Sequence, residues 1–192
     1  MCIRDSPLYE KFPDYVEVKG KRCRIVTDFR EWIKLVELLD DEGVPGRKKT
    51  ELLLQWYIDC PEDTEEAIYK LGEFLAGNVL YPEPKKTDSS KSESEPVFSY
   101  TEDAGCIFAA FLEYYGIDLE RVRYMHWWKF LILFEGLPEQ AEIKQRMMYR
   151  KADLNSIKDK EERKRVKEIK KRIALHRKQG SVSDYEIGEL FS

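Results

Sequence analysis

The chain lacks any apolar stretch close to the roughly 20 residues a bilayer-spanning helix needs. Its best candidate, Met125 to Phe134, has ten residues and contains Lys129, so no membrane contact is expected. Histidine is scarce, with only His126 and His176, and the four cysteines at 2, 23, 60 and 106 form no C-x-x-C pair. No zinc pattern results. The ten glycines are dispersed and never make a G-x-G-x-x-G or Walker loop, which removes the usual nucleotide-binding signatures. The chain is therefore expected to need neither metal nor cofactor.

What is present is charge and aromatic mass. Of 192 residues, 36% are charged, 42% hydrophobic and 12% aromatic, enough for a core under a dense charged surface. That profile fits a helical interaction protein better than an enzyme. The net charge of -4 conceals an asymmetry: residues 1 to 141 carry 18 basic and 28 acidic side chains, and residues 142 to 178 carry 15 and 6. Such polarity can join two parts of one chain, steer an acidic partner or contact nucleic acid.

Residues 1 to 7 are set aside as a disordered or artefactual start, because Met1 to Ser6 has no apolar signal region and resembles translated sequencing-adapter sequence. The three remaining cysteines are then expected as reduced thiols in a cytosol. Tyr15 to Val26 alternates, and a turn at Lys19-Gly20 sets Val16 opposite Cys23, Glu17 opposite Arg22 and Val18 opposite Lys21. This predicts a β-hairpin whose apolar face, Val16, Val18, Cys23 and Ile25, lies on helices.

Thr27 or Asp28 caps a helix carrying Phe29, Trp32, Ile33, Val36 and Leu39, ended by Gly43 to Gly46. A second helix runs through Leu52, Leu53, Trp56 and Tyr57, and a third opens at Pro61 and stops at Gly77-Asn78. Residues 82 to 96 offer nothing to bury and read as a flexible linker. Ser99 to Glu102 resembles a capping box before a helix on Ala104, Ile107, Phe108, Phe111, Leu112 and Tyr115, which ends at Gly116. Met125 to Phe134 reads as a buried central helix, and Pro138 opens another through Ile143, Met147 and Tyr149. Residues 158 to 178 hold eleven cations and four acids around a thin seam of Ile157, Val166, Ile169 and Ile173.

The fold expected is mainly α, a helical bundle-like domain with an N-terminal β-hairpin packed on it. Its regions are a hairpin-plus-helices part at 8–78, a linker at 79–97, a helical part with the basic helix at 98–178 and a polar tail at 179–192. Its core is expected to hold Trp32, Ile107, Phe108, Phe111, Trp127, Phe130, Leu131 and Phe134.

Chemistry finds little purchase. Cys106 with His126 is the one nucleophile–base combination available, yet a small buried thiol and a hydrogen-bonded core histidine account for both. The carboxylates gather on loops and first helical turns, where they complement the helix dipole. Eleven cations in one segment can bind phosphates, but no aromatic is interleaved to stack bases. Trp128 points about 100° from Trp127 on the helix and is the tryptophan expected at a surface. The candidate partner-binding residues are thus Trp128, Lys164, Lys167 and Lys171, with no catalytic residue.

Several ordered segments carry a resemblance: Thr27-Asp28-Phe29-Arg30-Glu31-Trp32, Ile107 to Leu119, His126-Trp127-Trp128-Lys129-Phe130, and Tyr149 to Leu154 before Lys158-Asp159-Lys160-Glu161. Together they resemble the bacteriophage Gp-fifteen family, encoded in the tail modules of long-tailed phages of Gram-positive bacteria near the tape-measure gene. The resemblance implies a tail assembly chaperone that binds the tape-measure protein in the host bacterial cytoplasm, and possible contact with other tail assembly proteins. The alternatives are a nucleic-acid-binding protein using residues 158–178 and a structural component of the tail.

Overall fold

The computed structural model describes residues 11–77 and 96–176. Their elements are β1 (Tyr15–Val18), β2 (Lys21–Arg24), α1 (Phe29–Asp40), α2 (Gly46–Leu53), a 3-10 turn (Leu54–Trp56), α3 (Thr64–Ala76), α4 (Ala104–Tyr115), α5 (Trp127–Glu135), α6 (Glu142–Lys151) and α7 (Lys160–Arg172). The chain is mainly α with an N-terminal hairpin, as its patterning implies. The starting segment at 1–7, most of the linker and the tail at 179–192 lie outside the described residues. Contacts divide the chain into two units: the first holds described residues 11–77 and 124–131, the second 96–123 and 132–176.

In the first unit β1 and β2 pair antiparallel with Val16 facing Cys23, Glu17 facing Arg22 and Val18 facing Lys21. The turn that fixes this register places Lys19 at φ 48° and Gly20 at φ 75°, the doubly left-handed geometry that matches strand twist. Val16, Val18, Cys23 and Ile25 are buried, and β1 packs on α3. On the outer face Arg22 reaches Glu17 at 3.6 Å and covers the Tyr15 ring.

Helix α1 starts where the sequence places it, because the Asp28 carboxylate accepts from the Arg30 amide at 3.0 Å. Its inward face is rotated slightly, with Phe29, Trp32 and Leu35 buried. The second helix is shorter than expected. It ends at Leu53, tightens into the 3-10 turn, and leaves Tyr57 extended and bridged to Ile25. The third begins at Thr64 rather than Pro61, since Asp63 accepts from the Glu66 amide at 2.9 Å and so acts as the cap. Gly77, at φ 63°, ends it.

The second unit is all-helical, with α4 against α6 and α6 against α7. Half of the Ser99 box forms, one turn ahead of α4. Ser99 Oγ accepts from the Glu102 amide at 3.2 Å, and the Ser99 amide donates to Asp103 rather than to Glu102. A turn follows, and the regular helix starts at Ala104. Its buried face is Ile107, Ala110 and Phe111, while Phe108 is half-buried and Leu112 exposed. Gly116 closes it in the left-handed region, φ 63°. Pro138 does not open α6 but turns the chain, its carbonyl accepting from Ala141, and the helix begins at Glu142.

Of the expected core, Trp32, Ile107, Phe111, Trp127, Phe130 and Phe134 are buried, whereas Phe108 and Leu131 are half-buried. Leu131 lies on α5, a nine-residue helix with apolar side chains nearly all round, which does not bury every one of them.

Candidate partner-binding surface

The tryptophans come first, because one of them carried an expectation of exposure. All four indole N–H groups donate to backbone carbonyls: Trp32 to Val26 at 2.8 Å, Trp56 to Glu31 at 3.1 Å, Trp127 to Leu75 at 2.9 Å and Trp128 to Phe74 at 2.8 Å. The last two acceptors lie in the final turn of α3, whose carbonyls lack the regular partner four residues on, although Phe74 O also accepts from the Gly77 amide at 3.2 Å. Adjacent tryptophans on one helix thus cap the C-terminal end of another.

Trp128 is 4% exposed and stacks on the Phe74 ring at 4.6 Å. The expectation that it lies at a surface is corrected. Helical geometry turns it 100° from Trp127 as argued, but the end of α3 and Phe12 occupy that direction.

His126 is the hydrogen-bonded core histidine the sequence suggests. Its Nδ1 accepts from the Trp128 amide at 3.1 Å, so the neutral ring carries its proton on Nε2, which donates to the Pro13 carbonyl at 3.1 Å. Burial pushes this imidazole below its usual value, with the Pro13 hydrogen bond opposing. Two of the family-like segments meet here. Trp127 N donates to Thr27 O at 2.8 Å, and Phe29 N donates to Met125 O at 2.9 Å, with Asp28 bridged to His126.

In the second unit no pattern in the sequence singles out Asp103. Its carboxylate is completely shielded, with Arg150 Nη1 at 2.6 Å, Arg150 Nη2 at 2.9 Å and Arg146 Nη1 at 3.4 Å. Burial alone would raise this carboxyl, but Arg150, the Ser99 amide and Arg146 hold it below the usual carboxylate range. Arg150 also donates to Val97 O and Ile173 O, tying the chain before α4 to the end of α7. Cys106 is half-buried; burial pushes its thiol up, away from the thiolate a nucleophile requires.

Helix α7 follows its pattern. The Asp159 carboxylate caps it through the Glu162 amide, Val166 is buried and Ile169 and Ile173 are half-buried. Lys164, Lys167 and Lys171 are all exposed. Of the candidate residues, then, three lie together on one helix of the second unit and Trp128 belongs to the core of the first.

Among the described residues no group of three or more His, Cys, Asp or Glu is arranged to hold a metal ion, and no helix is long and apolar enough to cross a membrane. Every buried side-chain nitrogen or oxygen there has a hydrogen-bond partner. The polar groups inside these units are committed to holding the fold.

No curated protein and no solved structure matches the chain. A family model described as Bacteriophage Gp15 protein matches residues 8–175, a span that takes in both units and all four family-like segments. The chain belongs to the Bacteriophage Gp15 protein family.

Proposed function

We propose that this phage protein is a non-catalytic tail assembly factor, a chaperone that binds the tape-measure protein in the host cytoplasm while the tail forms. The observation that carries this reading is the family match over residues 8–175, a span that contains the ordered segments at 27–32, 107–119, 126–130 and 149–154. A tape-measure chain is long, helical and prone to aggregate through its apolar stripes. Weak contacts repeated along it would keep it soluble and still release it to tube subunits, because linked weak sites hold collectively and detach singly.

The side chains present support a binding role. The histidine, the tryptophans and the buried Asp103 are spent on hydrogen bonds within the protein, while the exposed face of α7 is left charged. A nucleic-acid role for residues 158–178 stands second on the strength of that basic face. Retention in the tail as a structural component is the third reading.

The test is co-expression of the full chain with the tape-measure protein of the same phage. The soluble fraction of tape-measure protein should rise severalfold, and the two should co-purify. Equal solubility with and without this chain sinks the chaperone reading, and presence of the chain in purified particles moves the structural role ahead.

A further inference from the structure

Helix α7 repeats itself every seven residues. Lys160 to Val166 reads Lys-Glu-Glu-Arg-Lys-Arg-Val, and Lys167 to Ile173 reads Lys-Glu-Ile-Lys-Lys-Arg-Ile. Six of the seven positions keep their chemical character, and the structure shows where the repeat points. Val166 is buried and Ile173 half-buried, so the seventh position faces inward. The fourth is consumed as well, since Arg163 donates to the Ile157 carbonyl and Lys170 to the Ala152 carbonyl.

That leaves the first and fifth positions, Lys160, Lys164, Lys167 and Lys171, all exposed and within about 60° of one another around the helix. None of these four pairs with a carboxylate among the described residues. They form one row about 16 Å long, with steps of about 6, 4.5 and 6 Å. Beside the row lies a second one of Glu161 and Glu168, and beyond it a third of Arg165 and Arg172. The surface is striped lengthwise, positive, negative and positive.

Resting on the reading of the protein as a partner-binding factor, we infer that this face of α7 docks an acidic α-helix with its own seven-residue repeat. That helix carries carboxylates at i, i+4, i+7 and i+11. Two observations select such an occupant. The lysine spacing is that of a helix, so a second helix alongside can meet every lysine with a carboxylate at the same periodicity. The glutamate row also discriminates: a nucleic-acid backbone is negative along its whole length and meets Glu161 and Glu168 with repulsion, whereas a helix can set a lysine opposite each. A seven-residue repeat on both sides permits binding at successive registers along a long helix, which suits a factor that must cover an extended partner.

The experiment uses the full chain and a labelled synthetic three-heptad helix with Glu at the first and fifth positions of each heptad and Lys at the second, followed by anisotropy at low salt. A peptide of the same composition with permuted positions, and a duplex DNA, serve as competitors. Surface ion pairs contribute a few tenths of a kcal/mol each, so four in register should give about a tenfold preference over the permuted peptide. Replacing all four lysines by Glu should abolish binding, and a peptide with Lys in place of those Glu residues should restore it to the replaced protein. Should the reversed variant fail to fold, as judged by its melting curve, Lys-to-Gln changes at the four positions should still remove the preference.

Equal affinity for the ordered and permuted peptides overturns the inference. So does tighter binding of the duplex, or self-association of the protein that disappears with the four lysines. Absence of the peptide preference in the unaltered chain, alongside full solubilisation of the tape-measure protein, would remove this docking face and leave the chaperone reading standing.

Discussion

The Asp103 carboxylate and the Arg150 guanidinium meet as a two-pronged pair, at 2.6 and 2.9 Å, with no solvent on the carboxylate. Removing one partner strands the other. Asp103→Asn should therefore cost about 3–5 kcal/mol, the range for breaking a buried pair, while Asp103→Leu combined with Arg150→Met should cost less than Arg150→Met alone. Urea denaturation of the three variants decides it. A double that costs as much as Arg150→Met alone, or more, would mean that removing one partner does not strand the other.

The same pair governs acid stability. Because the folded carboxyl of Asp103 lies below its unfolded value of about 4, its contribution is complete above that pH and is lost as pH falls through the lower folded value. The Asp103→Asn variant should lose this component of its acid sensitivity, measured as a shallower fall of melting temperature below pH 4.

His126 acts in a higher window. Burial depresses its folded value below an unfolded value of about 6.5, so the unfolded chain takes up the proton first. Its contribution to stability is full above neutrality and declines as pH falls from about 6.5 through the folded value. Protonation also converts Nδ1 from the acceptor of the Trp128 amide into a donor. His126→Gln should be less stable at pH 8 but flatter between pH 7 and 5. An unchanged slope in that interval would show that other groups carry it.

The two adjacent tryptophans separate packing from hydrogen bonding. Trp127→Ala should cost roughly 3–5 kcal/mol through the cavity it leaves, and Trp128→Ala should cost a similar amount, since both are buried. Trp128→Phe keeps a ring against Phe74 and leaves the Phe74 carbonyl with the Gly77 amide as donor, so it should cost about 0.5–1.5 kcal/mol, the net worth of one hydrogen bond. A change of a few tenths in either alanine variant, by chemical denaturation, would contradict the burial described.

Lys164, Lys167 and Lys171 should behave oppositely. Changing all three to Glu touches neither Val166 nor the hydrogen bonds of Arg163 and Lys170, and exposed substitutions usually stay within about 0.5 kcal/mol each. The melting temperature should hold to within a few degrees, while association with an acidic partner slows and loses salt dependence. A collapse of the fold would place these side chains inside rather than outside.

The hairpin was legible residue by residue because its information is local: alternation sets the faces, and Lys19-Gly20 sets the register. The first cap was legible to within one residue, Thr27 or Asp28, for the same reason, and the structure selects Asp28. Boundaries failed where two nearby groups compete for one amide or one start. Asp63 caps α3, which starts at Thr64 and not at Pro61, because its carboxylate reaches the Glu66 amide, and Asp103, not Glu102, answers Ser99 because two arginines already hold it in place.

By itself the sequence determined what depends on a dozen neighbouring residues: a mainly helical chain, one hairpin, the inward seam of α7 with lysines outside it, and the segments that mark the family. All but the last follow from side-chain period and turn chemistry, which act over one or two helical turns. Tertiary structure alone decided that Trp128 is a cap on α3 and that Asp103 is paired, because the acceptor of the first lies 54 residues away and the partner of the second 47. A helix dictates the direction in which an indole points, but only the chain that arrives from elsewhere determines whether water or a carbonyl is waiting there.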